Sequence, residues 1–150
     1  MDIYLLEANR PDLARSLAGD DYWRLGQLAD ASAAIPVHAH LVDELRQTAT
    51  SALRRRVADS TARPHELAAL ARIEQAAGNN DAAIELYRAA LSHDYRQVDW
   101  HLELAQVFAD ANQIQEAIGE VRICLRMRPQ HTAANKLLEK LISRREEALK

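Results

Sequence analysis

Residues 78–91 read GNNDAAIELYRAAL, and residues 112–125 read NQIQEAIGEVRICL. The chain thus contains two similar segments that are 34 residues apart. A fixed period of this length is typical of solenoid proteins, in which each repeat stacks on the next. Thirty-four residues hold two helices and two turns. The matched pairs in this register are Leu70 with Leu104, Ala71 with Ala105, Gly78 with Asn112, Ala83 with Ala117, Ile84 with Ile118, Ala90 with Cys124, and Leu91 with Leu125.

The composition favours an all-α protein. Of 150 residues, 48% are hydrophobic but only 5% are aromatic, so the apolar residues are mostly Ala and Leu, which suit helices. Four Gly and four Pro leave few breaks, and Val and Ile do not alternate as strands require. The length is that of one domain.

Charge and targeting patterns narrow the classes of partner. The net charge is −3 with acids and bases mixed along the chain, and the short run Arg54–Arg56 is interpreted as a solvated helix end, so no nucleic-acid partner is predicted. No signal sequence or run of about 18 apolar residues occurs, so no membrane partner is predicted either. The single cysteine, Cys124, indicates a reducing, cytoplasmic location.

Helix signals divide the chain into eight segments. Pro11 and Gly19 bound a short first helix, Asp20 or Asp21 caps a second, and Pro36 starts a third that ends near Ala58. Pro64 begins the fourth, which Gly78 stops. The remaining four are predicted at Asp81–Ser92, Val98–Ala111, Ile114–Met127 and Thr132 to about Ala148. Connections of a few residues make neighbouring helices antiparallel.

Small residues flank a larger one within each copy. Ala83 and Ala90 lie seven residues apart with Tyr87 between them on one helix face, and Ala117, Val121 and Cys124 repeat the arrangement. Such a face lets a partner helix approach closely over the small side chains while the larger one fills the space between them. We therefore expect each pair of helices to form a packed hairpin.

These positions resemble the tetratricopeptide repeat family, whose pattern is W-x2-L-G-x2-Y, then A-x3-F-x2-A, then P. The second copy departs least. Two departures in the first, Glu74 for an aromatic ring and Tyr95 for proline, are predicted to loosen the hairpin and to alter the bend into the next repeat. The residues at the pattern positions are Leu67, Leu70, Ala71, Glu74, Ala83, Tyr87, Ala90 and Tyr95, then His101, Leu104, Ala105, Phe108, Ala117, Val121, Cys124 and Pro129.

The resemblance implies a superhelix of antiparallel hairpins. Region 63–150 is predicted to hold repeats 64–97 and 98–131, followed by a capping helix at 132–148. That helix should turn Arg144, Arg145, Glu146 and Glu147 to water. Region 1–62 is predicted to be helical, with a degenerate or irregular third hairpin at 20–60 that begins with Tyr22-x2-Leu25-Gly26-x2-Ala29.

A binding face is expected where the first helix of each hairpin lines the concave side. The family uses such grooves for extended or helical peptides, so the resemblance implies a protein or peptide partner. One subclass grips a terminal carboxylate with lysines and asparagines, but here the only cation at those positions is Arg72 and Glu103 would repel that group. The predicted binding residues are Arg72, Gln75, Asp99, Leu102, Glu103, Gln106, Asp110, Lys136 and Lys140.

The sequence also bears on two other classes of function. The hairpins could serve a structural role, in self-association or within a larger chain, through apolar residues near the start such as Tyr4, Leu5, Leu6 and Trp23. An enzyme is disfavoured because the histidines do not form a ligand set, Cys124 falls in a packing position, and isolated glycines make no phosphate loop. No catalytic residue, metal or cofactor is predicted.

Overall fold

A computed structural model of the protein describes residues 42–148, together with Gln27 as a single exposed helical residue. The chain divides into two compact units, Met1–Ala62 and Arg63–Lys150. Several predictions lie outside the described residues: the helices before Pro36, the pattern match at Tyr22–Ala29, the apolar patch of Tyr4, Leu5, Leu6 and Trp23, and His38 with His40.

In the first unit, the described helix α1 spans Val42–Ala58. Leu45, Ala49 and Leu53 form its buried stripe, at the four-residue spacing that keeps apolar side chains on one face of a helix. The predicted end near Ala58 is confirmed, whereas the predicted start at Pro36 lies outside the described residues. Arg54 and Arg55 are exposed near the end of this helix.

The described residues of the second unit form five helices, whose lengths alternate between 13 and 14 residues before a longer last one. The repeat begins again every 34 residues, at Pro64, Val98 and Thr132. Predicted bounds differ from these by one or two residues at most. The helices are α2 (Pro64–Ala76), α3 (Asn80–His93), α4 (Val98–Asp110), α5 (Ile114–Met127) and α6 (Thr132–Glu147).

Sequential packing builds the stack. Helix α2 packs against α3 and α4 against α5 within each hairpin, while α3 contacts α4 and α5 contacts α6 between them. The small-large-small positions Ala83, Tyr87 and Ala90 are fully buried, as are Ala117, Val121 and Cys124. Leu141 on α6 is buried as completely. All described elements are helices, so the predicted all-α repeat fold is confirmed.

The turns inside the two hairpins share one backbone geometry. Gly78 has φ +82° and its equivalent Asn112 has φ +59°, the left-handed region that ends many helices. In each turn the next residue's N–H bonds back five residues, from Asn79 to Glu74 at 2.9 Å and from Gln113 to Phe108 at 2.8 Å. The predicted glycine stop at Gly78 is confirmed, and asparagine performs the same role in the second hairpin.

Glu74 is buried rather than exposed, although it replaces an aromatic ring of the pattern. Its carboxylate accepts a hydrogen bond of 2.8 Å from the Asn79 side-chain amide. Since Asn79 follows the left-handed Gly78, this bond ties the end of α2 to the start of α3. The acid thus strengthens the turn of a hairpin that the sequence predicts to be loosened at this position.

Candidate partner-binding face

The nine predicted binding residues lie on the first helices of the hairpins and on α6. Arg72 and Gln75 belong to α2, five others to α4, and Lys136 and Lys140 to α6. None of them is buried, because their positions alternate with the buried stripe of each helix. We call the surface made by these nine residues the first-helix face.

Arg72 and Glu103 form a two-pronged ion pair across α2 and α4. The guanidinium donates from Nε to one carboxylate oxygen at 3.0 Å and from Nη2 to the other at 2.9 Å. The arginine side chain is half exposed and the glutamate about a quarter exposed. Bidentate geometry fixes both side chains, although solvent reduces the energy of the pair. Glu103 is therefore a partner of Arg72, and its charge is largely neutralised.

Gln75 and Asp110 make a second contact between the same helices. The Gln75 side-chain nitrogen donates to an Asp110 carboxylate oxygen at 2.9 Å. This contact lies one helical turn beyond Arg72 along α2. The two contacts join the hairpins, and four of the nine predicted residues already have partners inside the chain.

Tyr87 lies against the Arg72–Glu103 pair. The ring is fully buried, and its hydroxyl makes no hydrogen bond with a described residue despite lying close to both charged groups. Burial raises the pKa of Tyr87 well above its ordinary value of 10.0, and the Glu103 charge raises it further while Arg72 partly offsets the change. The hydroxyl is thus neutral and acts as packing for the hairpin.

Arg144 was expected to face water, and this prediction is wrong. Its guanidinium donates to the Ala109 carbonyl at 3.2 Å and to the Asn112 side-chain oxygen at 3.3 Å. The side chain is partly buried and lies at the end of α4, where the helix dipole favours a cation. A signal existed in the sequence, since Arg144 follows Asp110 by one 34-residue period.

Asp99 lies at the edge of the first-helix face. Its carboxylate is 3.8 Å from His131 Nε2 and 4.0 Å from Arg128 Nη1, both in the connection before α6. By contrast, Gln106, Lys136 and Lys140 are exposed and make no hydrogen bond or ion pair through their side chains with any other described residue. These three polar side chains face solvent.

His101 occupies the pattern's tryptophan position and is fully buried. Its Nδ1 lies 2.6 Å from a Glu120 carboxylate oxygen, and its Nε2 lies 2.9 Å from the Tyr95 carbonyl oxygen. The Tyr95 ring meets the imidazole edge-on at 4.8 Å. The sequence alone does not show these two acceptors, because packing brings Glu120 to the histidine from the next helix.

Cys124, which the sequence places in a packing position, is buried in the stack. Burial and the Glu120 charge raise the pKa of the Cys124 thiol to about 11, so it is a poor nucleophile at neutral pH. Its Sγ donates to the Val98 carbonyl at 3.4 Å. Across the same residues no cluster of three metal-binding side chains occurs. Nor does any helix there have the length and apolar character to cross a membrane.

Comparison with known proteins finds a family match over less than half of the chain. Residues 68–132 match the family described as Tetratricopeptide repeat. Anaphase-promoting complex subunit 7 of Arabidopsis thaliana is 38% identical over 73 residues, which is 49% of this chain. The match spans only 13% of the length of that relative.

Solved structures share the fold at low sequence identity. The tetratricopeptide repeat domain of Sgt2 from Aspergillus fumigatus has a TM-score of 0.64 and 17% identity, covering 87% of this chain and 82% of that one. MamA AMB-1 has a TM-score of 0.63 and 18% identity, covering 99% of this chain and 82% of that one. The likeness at this level concerns the fold.

Proposed function

We propose that this chain, whose residues 68–132 belong to the tetratricopeptide repeat family, is a protein-interaction module that holds a peptide segment of a partner protein. The groove is the concave side of the stack, lined by α2, α4 and α6. The proposal includes a cytoplasmic location, which the single free cysteine supports.

The observation that carries the proposal is the unused part of the first-helix face. The apolar stripe of each helix is buried by packing within the hairpins. Arg72 and Gln75 form hydrogen bonds with Glu103 and Asp110, respectively. Gln106, Lys136 and Lys140 remain exposed without partners among the described residues. A stack of repeats presents such side chains along one continuous groove, which suits an extended or helical peptide.

Binding of a partner's terminal carboxylate by Arg72 is disfavoured, as the sequence predicts. The physical reason differs from the predicted one. Glu103 was expected to repel such a group. The guanidinium of Arg72 is instead already occupied by Glu103 through two bonds. A guest carboxylate would have to displace an internal one of the same chemistry, which gives it little net advantage.

Site-specific photo-crosslinking tests the proposal. A photoreactive amino acid replaces Gln106 on α4, and in a matched protein it replaces Gln115, an exposed glutamine on α5. After exposure to a lysate of the native source, we expect protein adducts from position 106 and not from position 115. Equal adducts at both positions, or adducts at 115 alone, would remove the groove as the binding surface.

Gln106 is preferable to the charged residues of α4 as a probe. Replacing Glu103 or Asp110 by lysine would break the contacts to Arg72 and Gln75 that join the two hairpins. Lost binding in such a variant could then come from altered packing. Gln106 makes no side-chain hydrogen bond with a described residue, so its substitution leaves those contacts intact.

A further inference from the structure

The first-helix face has two halves with different chemistry. Contacts between successive first helices follow two offsets, 31 residues for Arg72 with Glu103 and 35 residues for Gln75 with Asp110. The second offset recurs where Arg144 bonds to Ala109. Because the repeat is regular, the same offsets predict which residues meet between α4 and α6.

Both offsets lead to Leu137 in the second half. An offset of 35 places Leu102 beside Leu137, and an offset of 31 places Gln106 beside it. Leu102 and Leu137 are each partly exposed. Where the α2–α4 half has Arg72 bound to Glu103, the α4–α6 half thus has Gln106 beside Leu137. Leu102 adjoins this pair, so the two leucines make part of the floor apolar.

Two lysines border this apolar floor. Lys136 and Lys140 lie four residues apart on α6, which puts their side chains on the same side of the helix. Both are exposed, and neither forms an ion pair with a described residue, including the nearby Glu139. Two like charges at this spacing repel each other, and a bound anionic group relieves that repulsion.

Acids of the same face do not compete for these lysines. Glu103 is held by Arg72, Asp110 accepts from Gln75, and Asp99 lies next to His131 and Arg128. Within the described part of the face, Lys136 and Lys140 are the charged groups with neither an ion pair nor a hydrogen bond, whereas Asp110 has the neutral Gln75 amide as its partner. Charge complementarity then specifies an acidic occupant.

We propose that the α4–α6 half of the first-helix face binds an acidic segment of a partner protein, with an apolar side chain of that segment against Leu102 and Leu137. This inference rests on the proposed function and adds the chemistry of the ligand. Carboxylates pair with Lys136 and Lys140 at the border of the groove. Because those lysines are exposed, binding weakens as salt is added.

Fluorescence anisotropy with defined peptides tests the proposal. The probe is a labelled peptide in which pairs of aspartate and glutamate alternate with leucine, and its counterpart carries lysine at every acidic position. We expect the acidic peptide to bind at low salt and the basic one not to bind. Replacing both groove lysines, Lys136→Glu with Lys140→Glu, should weaken binding of the acidic peptide at least about tenfold.

A matched control exists on α5. Arg122 and Arg126 are also exposed and four residues apart, and they have no ion pair with a described residue. The double substitution Arg122→Glu with Arg126→Glu changes the net charge equally and should leave affinity unchanged. Lys136→Gln with Lys140→Gln provides a milder variant, and circular dichroism verifies that each protein is folded.

Three results would overturn the inference: no binding of the acidic peptide, equal weakening by the α5 control, or tighter binding of a single-stranded DNA of equal charge. Crosslinking distinguishes failure of the acidic-ligand inference from failure of the proposed groove. If position 106 captures a protein but the lysine variants capture it equally well, the acidic ligand is wrong and the groove stands. If position 106 captures nothing, the groove itself is excluded.

Discussion

His101 illustrates how one buried side chain adapts to its surroundings. Both ring nitrogens lie within hydrogen-bond distance of oxygen acceptors, the Glu120 carboxylate and the Tyr95 carbonyl. A neutral imidazole has only one N–H, so both bonds form together only when the ring is protonated. Burial alone would lower the pKa of His101, but the two hydrogen bonds and the Glu120 charge outweigh it and raise the pKa above 6.5.

The stability of the fold should therefore fall as the pH rises. With the pKa of His101 higher in the folded chain than in the unfolded one, the proton stabilises the fold fully below about pH 6.5, and this contribution is lost as the pH passes the folded-state pKa. We expect a loss of about 1 kcal/mol, the size of one net hydrogen bond. Urea unfolding from about pH 6 to about pH 9 measures it.

Two variants assign the pH dependence to this residue. His101→Gln removes the titrating ring and should flatten the dependence, whereas His93→Gln, at an exposed position, should leave it as in the wild type. A wild-type protein with constant stability over this range would contradict protonation of His101 in the fold.

At the scale of the helices, periodicity accounts for nearly all of the described boundaries. Helix α5 begins and ends at the predicted residues, and α3 extends the prediction by one residue at each end. The turns follow local rules as well, since Gly78 and Asn112 are the residue types that adopt positive φ most readily. What local rules missed is the role of Glu74, because its hydrogen bond depends on how Asn79 is placed by the turn.

Two glycines should respond to alanine with opposite signs. A Cβ meets no heavy atom within 4 Å at either Gly78 or Gly119, so space is not the issue. Gly78 has positive φ, and Gly78→Ala should lower the free energy of unfolding by about 1 kcal/mol. Gly119 lies inside α5, so Gly119→Ala should raise it by up to about 1 kcal/mol. Urea unfolding gives both values.

Gly78→Asn serves as the control for the turn. Asparagine occupies the equivalent position in the second hairpin with the same sign of φ, so this variant should lose less stability than Gly78→Ala. Equal losses for the two would show that the backbone angle is not what limits the position.

The whole second unit behaves as a linear stack, in which each helix contacts its neighbours along the chain. Stability in such an array is approximately a sum of terms within hairpins and between adjacent ones. The effect of a core substitution should therefore be greatest in the adjacent helices. Helix α6 is the simplest place to test this, because among the described helices it packs mainly on α5.

Leu141→Ala should destabilise the end of the stack. Leu141 is fully buried, and its truncation costs about 2–5 kcal/mol when the cavity does not collapse. By hydrogen exchange, we expect α5 and α6 to lose more protection than α2 and α3. Ile142→Ala, one residue further and only partly buried, should have a smaller effect. Equal loss of protection across α2–α6 would mean that the five helices unfold as one unit.

The sequence alone determined the repeat, the class of fold and the positions of the buried residues. These three features follow from patterns that recur every few residues along a helix and every 34 residues along the chain. They can therefore be predicted without knowledge of which residues are in contact. Tyr87, Val121 and their small neighbours are buried where the spacing predicts. The set of exposed first-helix residues could be predicted for the same reason.

Only the tertiary structure decided which of those polar groups are already paired. Arg72 reaches Glu103, Arg144 reaches the end of α4, and His101 reaches Glu120 across 31, 35 and 19 residues of sequence. Such pairs depend on side-chain length and on the distance between packed helices, which no local pattern encodes. Lys136 and Lys140 stand out as candidate contacts because stacking the helices gives the other charges of the face their partners.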